Sequence, residues 1–376
     1  MTQAYINRIA TAVPPHDVHE AFLSFAHSLI QADRRKSELF VRMAGRSEIE
    51  HRYSYLAPLR DPEGVSVFPT DFYKRDKFPN TAARMRLFNY QAPLLAELAV
   101  ERLNLGDERN RVSHVLITCC TGFSAPGLDL EIMARCRLPH TIERTMIGFM
   151  GCYAAINALK LARHIVRSGP NSRVLVINLE LCSLHLQETT DLGQILSYLL
   201  FGDGCAASVV SAEPVGLAID RFHAMQIPDT RDLITWNIGD SGFDMVLSGQ
   251  VPATIQEALR SRADEILAGI PASSIGMWGV HPGGRSVLDA VERAFDLGPR
   301  ALSASRDVLR RYGNMSSPTV MFVLERLMRS SAKGATGCAM SFGPGLTAET
   351  MLFHAVSHIN ATPRDPRVSL KDNVFA

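Results

Sequence analysis

The sequence predicts an α/β protein built from two similar halves, stacked as five layers in the order α-β-α-β-α. Two observations lead to this prediction. Residues 1–213 and 214–376 follow one plan, in which a helix precedes a buried strand that ends in a glycine-containing loop. Each half also closes on a pair of apolar segments beside glycine, at 199–211 and 337–352. A chain of 376 residues is too long for one ordinary core, which agrees with two units that join near Pro214.

The elements of the first half are predicted from the period of their apolar residues. Alternating or continuous apolar runs indicate strands, and apolar residues three or four apart indicate helices. In chain order they are a strand over 5–13, a helix over 17–30, a charged helix and turn over 34–52, a surface excursion over 54–80, a helix over 81–105, a strand over 112–120, a helix after Cys152, a strand over 173–181 and a strand pair over 199–211 around a Gly-Asp-Gly turn.

The second half repeats this plan in shortened form. Its predicted elements are a helix over 251–268, a strand over 275–280, helices over 286–295, 303–312 and 319–328, and a strand pair over 337–352. The strand over 275–280 ends in His281-Pro-Gly-Gly284, as the strand over 112–120 ends in a Thr-Gly loop. We therefore expect loops of both halves to converge on one site.

Composition excludes several classes of function. The 39 basic and 38 acidic residues nearly cancel, so no broad surface for nucleic acid or membrane is expected. We see no signal peptide and no apolar run long enough to span a bilayer. The seven cysteines are an odd number without repeated CxxC spacing. This pattern argues against a disulfide framework or a metal site, and it indicates a reducing cytoplasm.

Cys152 lies where an apolar run passes into a helix. Alanines and leucines recur at helical spacing after it, so the sulfur lies near a helix N-terminus. Unpaired amide N–H groups and the positive end of the helix dipole favour a thiolate there, and Gly151 permits close approach of another group. These features predict a nucleophile. The alternative is a small buried thiol that packs a helix start, which is the ordinary role of a free cysteine.

Two other loops place a polar side chain beside glycine, His281 in His-Pro-Gly-Gly and Asn314 after Gly313. Histidine accepts a thiol proton and asparagine donates to an oxyanion without titrating, so the trio with Cys152 fits acyl-thioester chemistry. Lowering a thiol pKa from about 8.5 to about 6 requires about 3.4 kcal/mol, whereas a helix N-terminus contributes about 0.3–1 kcal/mol. A partner imidazolium is needed. The alternatives are a turn histidine satisfied by backbone and an N-cap asparagine.

Five sequence blocks resemble one family in composition and order. They are Gly-Cys152-Tyr-Ala-Ala, Leu-Phe201-Gly-Asp-Gly-Cys-Ala-Ala, Trp-Gly-Val-His281-Pro-Gly-Gly, Tyr-Gly-Asn314-Met-Ser-Ser and Ser-Phe-Gly343-Pro344-Gly-Leu-Thr-Ala-Glu. Nearly the whole chain resembles the chalcone synthase-like type III polyketide synthases, particularly bacterial members. The resemblance implies the thiolase fold and a homodimer. It also implies extension of a CoA-linked starter with malonyl-CoA, without a carrier protein or a further cofactor.

The resemblance also implies roles for individual residues. Cys152 matches the nucleophile that holds the starter and the growing chain as thioesters. His281 and Asn314 match the pair that activates this thiol and stabilises the enolate formed when malonyl-CoA loses carbon dioxide. Phe201 and Phe243 match two gatekeeper phenylalanines between the CoA tunnel and the initiation cavity.

Further matches concern the substrate pocket and the CoA site. Residues that line or border the pocket are matched by Cys120, Thr121, Ala125, Cys182 and His185, and its wall by Gly343 and Pro344. CoA-binding positions are matched by Arg42, Arg46, Gly283 and Gly284. A third basic position of the family is Leu39 here, so the set of cations is incomplete.

Ala125 replaces a bulkier methionine of plant relatives, which is expected to open volume beside the nucleophile. We therefore expect a fatty acyl-CoA starter and an alkylpyrone or alkylresorcinol product. Cys120 also occurs in relatives that use malonyl-CoA as starter and make a naphthalene, so a malonyl-CoA-primed synthase of naphthalene or phloroglucinol type is an alternative. Two others are a β-ketoacyl carrier-protein synthase III and a non-catalytic thiolase-fold binding protein.

Overall fold

The computed structural model describes residues 2–60, 66–67 and 72–356. Part of the surface excursion predicted over 54–80 lies outside these residues. The strands are Tyr5–Ala12 (β1), His16–Asp17 (β2), Tyr53–Ser54 (β3), Leu59–Arg60 (β4), Ser66–Val67 (β5), His114–Cys119 (β6), Glu143–Gly148 (β7), Val174–Leu181 (β8), Asp203–Ser211 (β9), Leu217–Gln226 (β10), Ile234–Gly239 (β11), Gly242–Leu247 (β12), Met277–Val280 (β13), Thr336–Gly343 (β14) and Thr347–Ala355 (β15).

Some of the helices begin with a side-chain N-cap. Asn80 and Asp191 lie just before two of them, and their side chains accept hydrogen bonds from the N–H groups of Ala83 and Gln194, as N-caps do. The helices are His19–Ile30 (α1), Arg34–Ala44 (α2), Thr81–Arg102 (α3), Leu128–Arg135 (α4), Ala154–Ser168 (α5), Leu192–Leu200 (α6), Val251–Ser261 (α7), Ala263–Leu267 (α8), Arg285–Phe295 (α9), Ser303–Tyr312 (α10) and Pro318–Ser330 (α11).

Nine strands form one sheet in the order β13-β14-β15-β10-β1-β9-β8-β6-β7. Strand β6 is parallel to β8, and β8 is antiparallel to β9, which in turn is antiparallel to β1. In the other half, β13, β14, β15 and β10 repeat this pattern of directions. The two parts join where Tyr5 and Ile6 of β1 pair with Ala218 and Leu217 of β10. The topology therefore contains the repeat that the sequence plan predicts.

Three buried cores separate five layers. Helix α3 packs on the outer face of the first half of the sheet, and α1 and α6 belong to the same buried core. Helices α5 and α11 pack between the two halves, in a core that contains residues from strands of both. Helices α7 and α9 cover the outer face of the second half. This is the α-β-α-β-α arrangement predicted from the sequence.

The predicted strand pair over 199–211 is wrong in its first member. Helix α6 extends to Leu200, and the Gly-Asp-Gly segment begins strand β9 instead of forming a turn. Asp203 is buried and accepts hydrogen bonds from the N–H and hydroxyl groups of Ser183. A Cβ on Gly204 would lie 2.3 Å from Met315 Sδ, so this glycine serves close packing. The helix predicted over 251–268 is divided into α7 and α8.

Candidate active site

A cavity of about 1010 Å³ brings Cys152, His281 and Asn314 together on its wall. Its size is at the upper end of the range of about 300–1,000 Å³ that is usual for ligand sites. Cys152 lies in the single turn Gly151–Tyr153 just before α5, and Asn314 lies in the loop before α11. His281 follows β13 directly. The N-terminal ends of both central helices therefore point to one cavity, where their dipoles favour negative charge.

The turn that carries Cys152 packs tightly against the loop at Gly343 and Pro344. Gly151 has a φ of +70°, and a Cβ there would lie 2.3 Å from Pro344 Cδ. A Cβ on Gly343 would lie 2.8 Å from Tyr153 Cδ1 and 3.3 Å from the Cys152 nitrogen. Both glycines are therefore required by the close approach of two loops. Gly343 and Pro344 line the cavity, as the resemblance implied.

Backbone hydrogen bonds connect the segments of Phe201 and Asn314. The Asn314 N–H donates to the Leu200 carbonyl over 2.8 Å, and the Gly202 N–H donates to the Asn314 carbonyl over 2.9 Å. The Asn314 side chain is fixed at both ends, because Nδ2 donates to the Gly283 carbonyl at 3.3 Å and Oδ1 accepts from the Ser316 N–H at 2.8 Å. Phe201 also lines the cavity.

Burial opposes charge on both Cys152 and His281. It raises the pKa of the Cys152 thiol to about 12, although hydrogen bonds from the Ser316 and Asn314 side chains act to lower it. Burial also lowers the pKa of His281 to about 3. Within the described residues, neither ring nitrogen of His281 has a hydrogen-bond partner. Each group is thus neutral on its own.

Glu180 is a site residue that sequence reasoning missed. Its buried Oε2 accepts from the Cys120 N–H at 2.9 Å and the Thr121 hydroxyl at 2.8 Å, and Oε1 accepts from the Ser317 hydroxyl at 3.2 Å. Burial raises the pKa of Glu180 to about 7, against the effect of these bonds. The sequence signal that could have identified Glu180 is a charged residue within an otherwise apolar strand. Glu180 holds the Cys120 and Thr121 segment, and both of those residues line the cavity with Cys182.

Phe243 does not line the cavity, which corrects its expected position at the entrance. Its ring is buried and stacks on His185 at a centroid distance of 4.1 Å. Met245, two residues further along the same face of β12, lines the cavity instead. Pattern matching placed Phe243 at the cavity, whereas in β12 this side chain packs in an aromatic cluster with His185 and Trp236.

His185 lies behind the wall and borders the site through Thr121. Its Nε2 donates to the Thr121 carbonyl at 2.7 Å, and its Nδ1 accepts from the Phe243 N–H at 3.1 Å. Burial lowers the pKa of His185 to about 3, so it is neutral, which agrees with one ring nitrogen donating and the other accepting. His185 therefore joins the strand of Met245 to the loop of Thr121.

Two other predicted residues lie outside the cavity within this chain. Ala125 is exposed and does not line the cavity, so the effect of this residue on pocket volume stays a prediction. Arg42 is exposed on α2 and does not line the cavity, whereas Arg46 does. Gly283 and Gly284 lie in the wall next to His281.

Three further observations concern disulfides, metal sites and membrane spans. All seven cysteines are free; six are buried, and Cys152 is partly buried. Among the described residues, no group of three or more His, Cys, Asp or Glu side chains is placed to hold a metal ion. Within that same part of the chain, none of the helices has the length and apolarity needed to cross a bilayer.

Family models match both halves of the chain. The model for chalcone and stilbene synthases, N-terminal domain, matches residues 2–214, and that for the C-terminal domain matches residues 220–357.

Individual relatives match over almost their entire length. An alpha-pyrone synthesis polyketide synthase-like protein, Pks18 of Mycobacterium tuberculosis, is 32% identical over 94% of this chain and 92% of its own. The bisdemethoxycurcumin synthase of Oryza sativa is 31% identical over 95% of this chain and 94% of its own. The crystal structure of PKS-I from the brown alga Ectocarpus siliculosus superposes with a TM-score of 0.84 at 30% identity, covering 95% of this chain and 99% of that one.

Proposed function

Since the chain belongs to the chalcone and stilbene synthase family and is a type III polyketide synthase, we propose that it extends a fatty acyl-CoA starter on Cys152. The observation that carries this proposal is the convergence of Cys152, His281 and Asn314 on one large cavity with an apolar wall. Apolar side chains of that wall include Leu196, Leu200, Ile234, Leu247, Val251 and Ile255. Such a wall suits an alkyl chain, because moving the chain from water to an apolar surface is favourable.

In the proposed loading step, His281 takes the thiol proton and the Cys152 thiolate attacks the starter carbonyl. The bond from carbon to CoA sulfur breaks, and the departing sulfur receives the proton from His281. The pair of charges exists only during this exchange, which suits two groups that burial keeps neutral separately. The N-terminal end of α5 stabilises the negative charge on sulfur and oxygen.

In the extension step, malonyl-CoA loses carbon dioxide and leaves an enolate. The Nδ2 of Asn314 and a ring N–H of His281 donate to the enolate oxygen. The enolate carbon attacks the Cys152 thioester, a carbon–carbon bond forms, and the Cys152 sulfur leaves as a thiolate. The elongated chain returns to Cys152 for another round, and the finished chain closes to an alkylpyrone or alkylresorcinol. Phe201 and Met245 line the cavity wall near this centre and are proposed to limit entry.

The proposal extends to the partners, the location and the assembly of the enzyme. CoA thioesters are the only small-molecule partners, no further cofactor takes part, and the halves 1–213 and 214–376 act as one unit. Seven free cysteines suit a cytoplasmic enzyme.

A homodimer is supported by strand β7, which is exposed at the edge of the sheet. Phe123 lies beside Gly148 of this strand, and 38% of Phe123 is exposed. Light scattering at micromolar concentration would measure the dimer.

Mass spectrometry of products tests the starter. Purified enzyme is incubated with malonyl-CoA alone, and with malonyl-CoA plus acyl-CoAs of graded length or an aromatic acyl-CoA. We expect multi-acetate products on long acyl starters, whose yield disappears in Cys152→Ala. Turnover with malonyl-CoA alone would favour the malonyl-primed alternative, for which Cys120 is the specific observation. A product of a single condensation, or no product at all, would contradict iterative synthesis.

A further inference from the structure

Arg52 is a buried cation behind the wall of the active-site cavity. It directly precedes β3, is 2% exposed and does not line the cavity. Burial lowers the pKa of Arg52 to about 9, and the carboxylates of Asp17 and Asp203 act against this shift, so the side chain is charged at neutral pH. Burying a charge is costly unless hydrogen bonds and other charges compensate it. The groups that compensate Arg52 therefore indicate what it holds in place.

The Arg52 guanidinium caps the C-terminal end of α6. Its Nη1 donates to the carbonyl oxygens of Tyr198 and Phe201, each over 2.9 Å. The last carbonyl groups of a helix have no partner within it and form the negative end of its dipole, so a cation is favoured there. Arg52 Nε donates to His19 Nδ1 over 3.0 Å, and burial lowers the pKa of His19 to about 3, so a neutral ring accepts this bond. The guanidinium also lies 4.3 Å from the centre of the Phe22 ring.

The same end of α6 holds the loop of Asn314. The Leu200 carbonyl accepts from the Asn314 N–H, and the Asn314 carbonyl accepts from the Gly202 N–H. Arg52 also packs on this loop directly, because a Cβ on Gly313 would lie 2.8 Å from Arg52 Cγ. A Cβ on Gly202 would lie 3.3 Å from Arg52 Cβ. The Arg52 side chain therefore contacts both segments of the junction between α6 and the Asn314 loop.

We propose that Arg52 is a positioning residue for Asn314, which it holds in place through the C-terminal end of α6. The inference rests on the proposed function, in which Asn314 Nδ2 donates to the enolate oxygen formed from malonyl-CoA. Without Arg52, the carbonyl groups of Tyr198 and Phe201 lose a charged partner, and the Asn314 loop that is bonded to this end of α6 shifts with it. A displacement of about 1 Å near reacting atoms slows a reaction by as much as about 100-fold.

The thiol and its base are held by other elements. Cys152 lies just before α5, and the His281 N–H donates to a carbonyl of β14 over 2.8 Å. Within the described residues, the Arg52 side chain forms no hydrogen bond to either of these elements. The Asn314 side chain acts to lower the pKa of the thiol, but less than Ser316 does. Loss of Arg52 should therefore affect malonyl decarboxylation more than the reactivity of the thiol.

Two reactions of the purified enzyme separate these effects. One is the release of carbon dioxide from malonyl-CoA, with and without an acyl-CoA starter, and the other is alkylation of Cys152 by iodoacetamide at pH 7. Arg52→Gln should slow decarboxylation about 10–100-fold and leave alkylation within about threefold of the wild-type rate. Arg52→Lys keeps a cation at the end of α6 but replaces the planar fork with one nitrogen. It should slow decarboxylation about tenfold, and it tests the proposal even where Arg52→Gln does not fold.

Arg173→Gln is the matched control for loss of a buried arginine. Arg173 is 6% exposed and pairs with Glu108 and Glu213. It lies at the opposite end of β8 from Cys182, which lines the cavity. This variant should have a lower Tm than the wild type and the wild-type ratio of decarboxylation rate to alkylation rate.

The outcomes distinguish this inference from the proposed function. A loss of decarboxylation with nearly unchanged alkylation supports the positioning role. An equal loss of both rates in the Arg52 variants would show a general disturbance of the site and would overturn that role. Wild-type decarboxylation in a folded Arg52 variant would overturn it too. A wild type that releases no carbon dioxide from malonyl-CoA, with or without a starter, would overturn the proposed function itself.

Discussion

Replacing His281 with alanine should strongly reduce the reactivity of Cys152 at neutral pH. The Cys152 thiol has a pKa of about 12, so about one thiol in 10⁵ would be ionised at pH 7. Two unit charges about 4 Å apart attract by about 4 kcal/mol at an effective dielectric constant of about 20. At about 1.36 kcal/mol per pKa unit, this attraction offsets only about three of the roughly nine pKa units between the thiol and His281, so the ion pair forms only as His281 takes the proton during attack. General-base assistance of this kind contributes about 10²–10⁴-fold, so His281→Ala should slow alkylation at pH 7 about a thousandfold.

The assay measures the rate at which iodoacetamide modifies Cys152, by peptide mass spectrometry between pH 6 and pH 10. The wild-type rate should change little over this range, because His281 is neutral throughout and acts as the base, whereas the rate in His281→Ala should rise about tenfold per pH unit. Cys152→Ala provides the background from other cysteines, which should be low because burial raises the pKa of those at 119, 120, 136, 182, 205 and 338. A variant rate within threefold of the wild-type rate at pH 7 would refute the reasoning.

Three other substitutions test the cavity, the buried carboxylate and the tight loop. Met245→Trp should raise KM for long acyl-CoAs about tenfold by overpacking the wall, while Val246→Trp, whose side chain is half exposed, should leave it unchanged. Glu180→Gln should show a Tm advantage over the wild type that grows from pH 5 to pH 8. The reason is that the wild type loses up to about 3 kcal/mol of stability as pH rises from 4.5 through the folded Glu180 pKa of about 7. A Tm difference between variant and wild type that does not depend on pH would contradict the raised pKa of Glu180. Gly151→Ala should lower stability by about 1–3 kcal/mol in calorimetry and reduce kcat, whereas Gly298→Ala, with open space around it, should do neither.

Much of the fold follows from patterns that act locally. Apolar period and caps predict α10 over its observed residues and predict α1, α3 and α9 to within three residues at each end. The repeated plan of the two halves predicts the layers. The Gly-Asp-Gly segment fails as a turn because its conformation is decided by contacts with Ser183 and Met315, which are remote in sequence.

The site was predictable where motif and chemistry agree. Cys152, His281 and Asn314 each lie at the end of an element, so their convergence follows from topology. Phe243 was misplaced because the direction of a single side chain depends on packing behind the wall. The roles of the trio remain predictions that the variants above would test.

The central helices give the active site a field that cannot titrate. A lysine or histidine beside the thioester would change its charge when pH crosses its pKa, but the N-terminal ends of α5 and α11 consist of peptide groups that carry no removable proton. Their potential at the cavity is therefore the same at pH 6 and at pH 9. The pH profile of the enzyme should report the thiol, imidazole and carboxyl groups alone. This makes the two buried helix ends a constant background against which each ionisable residue can be measured.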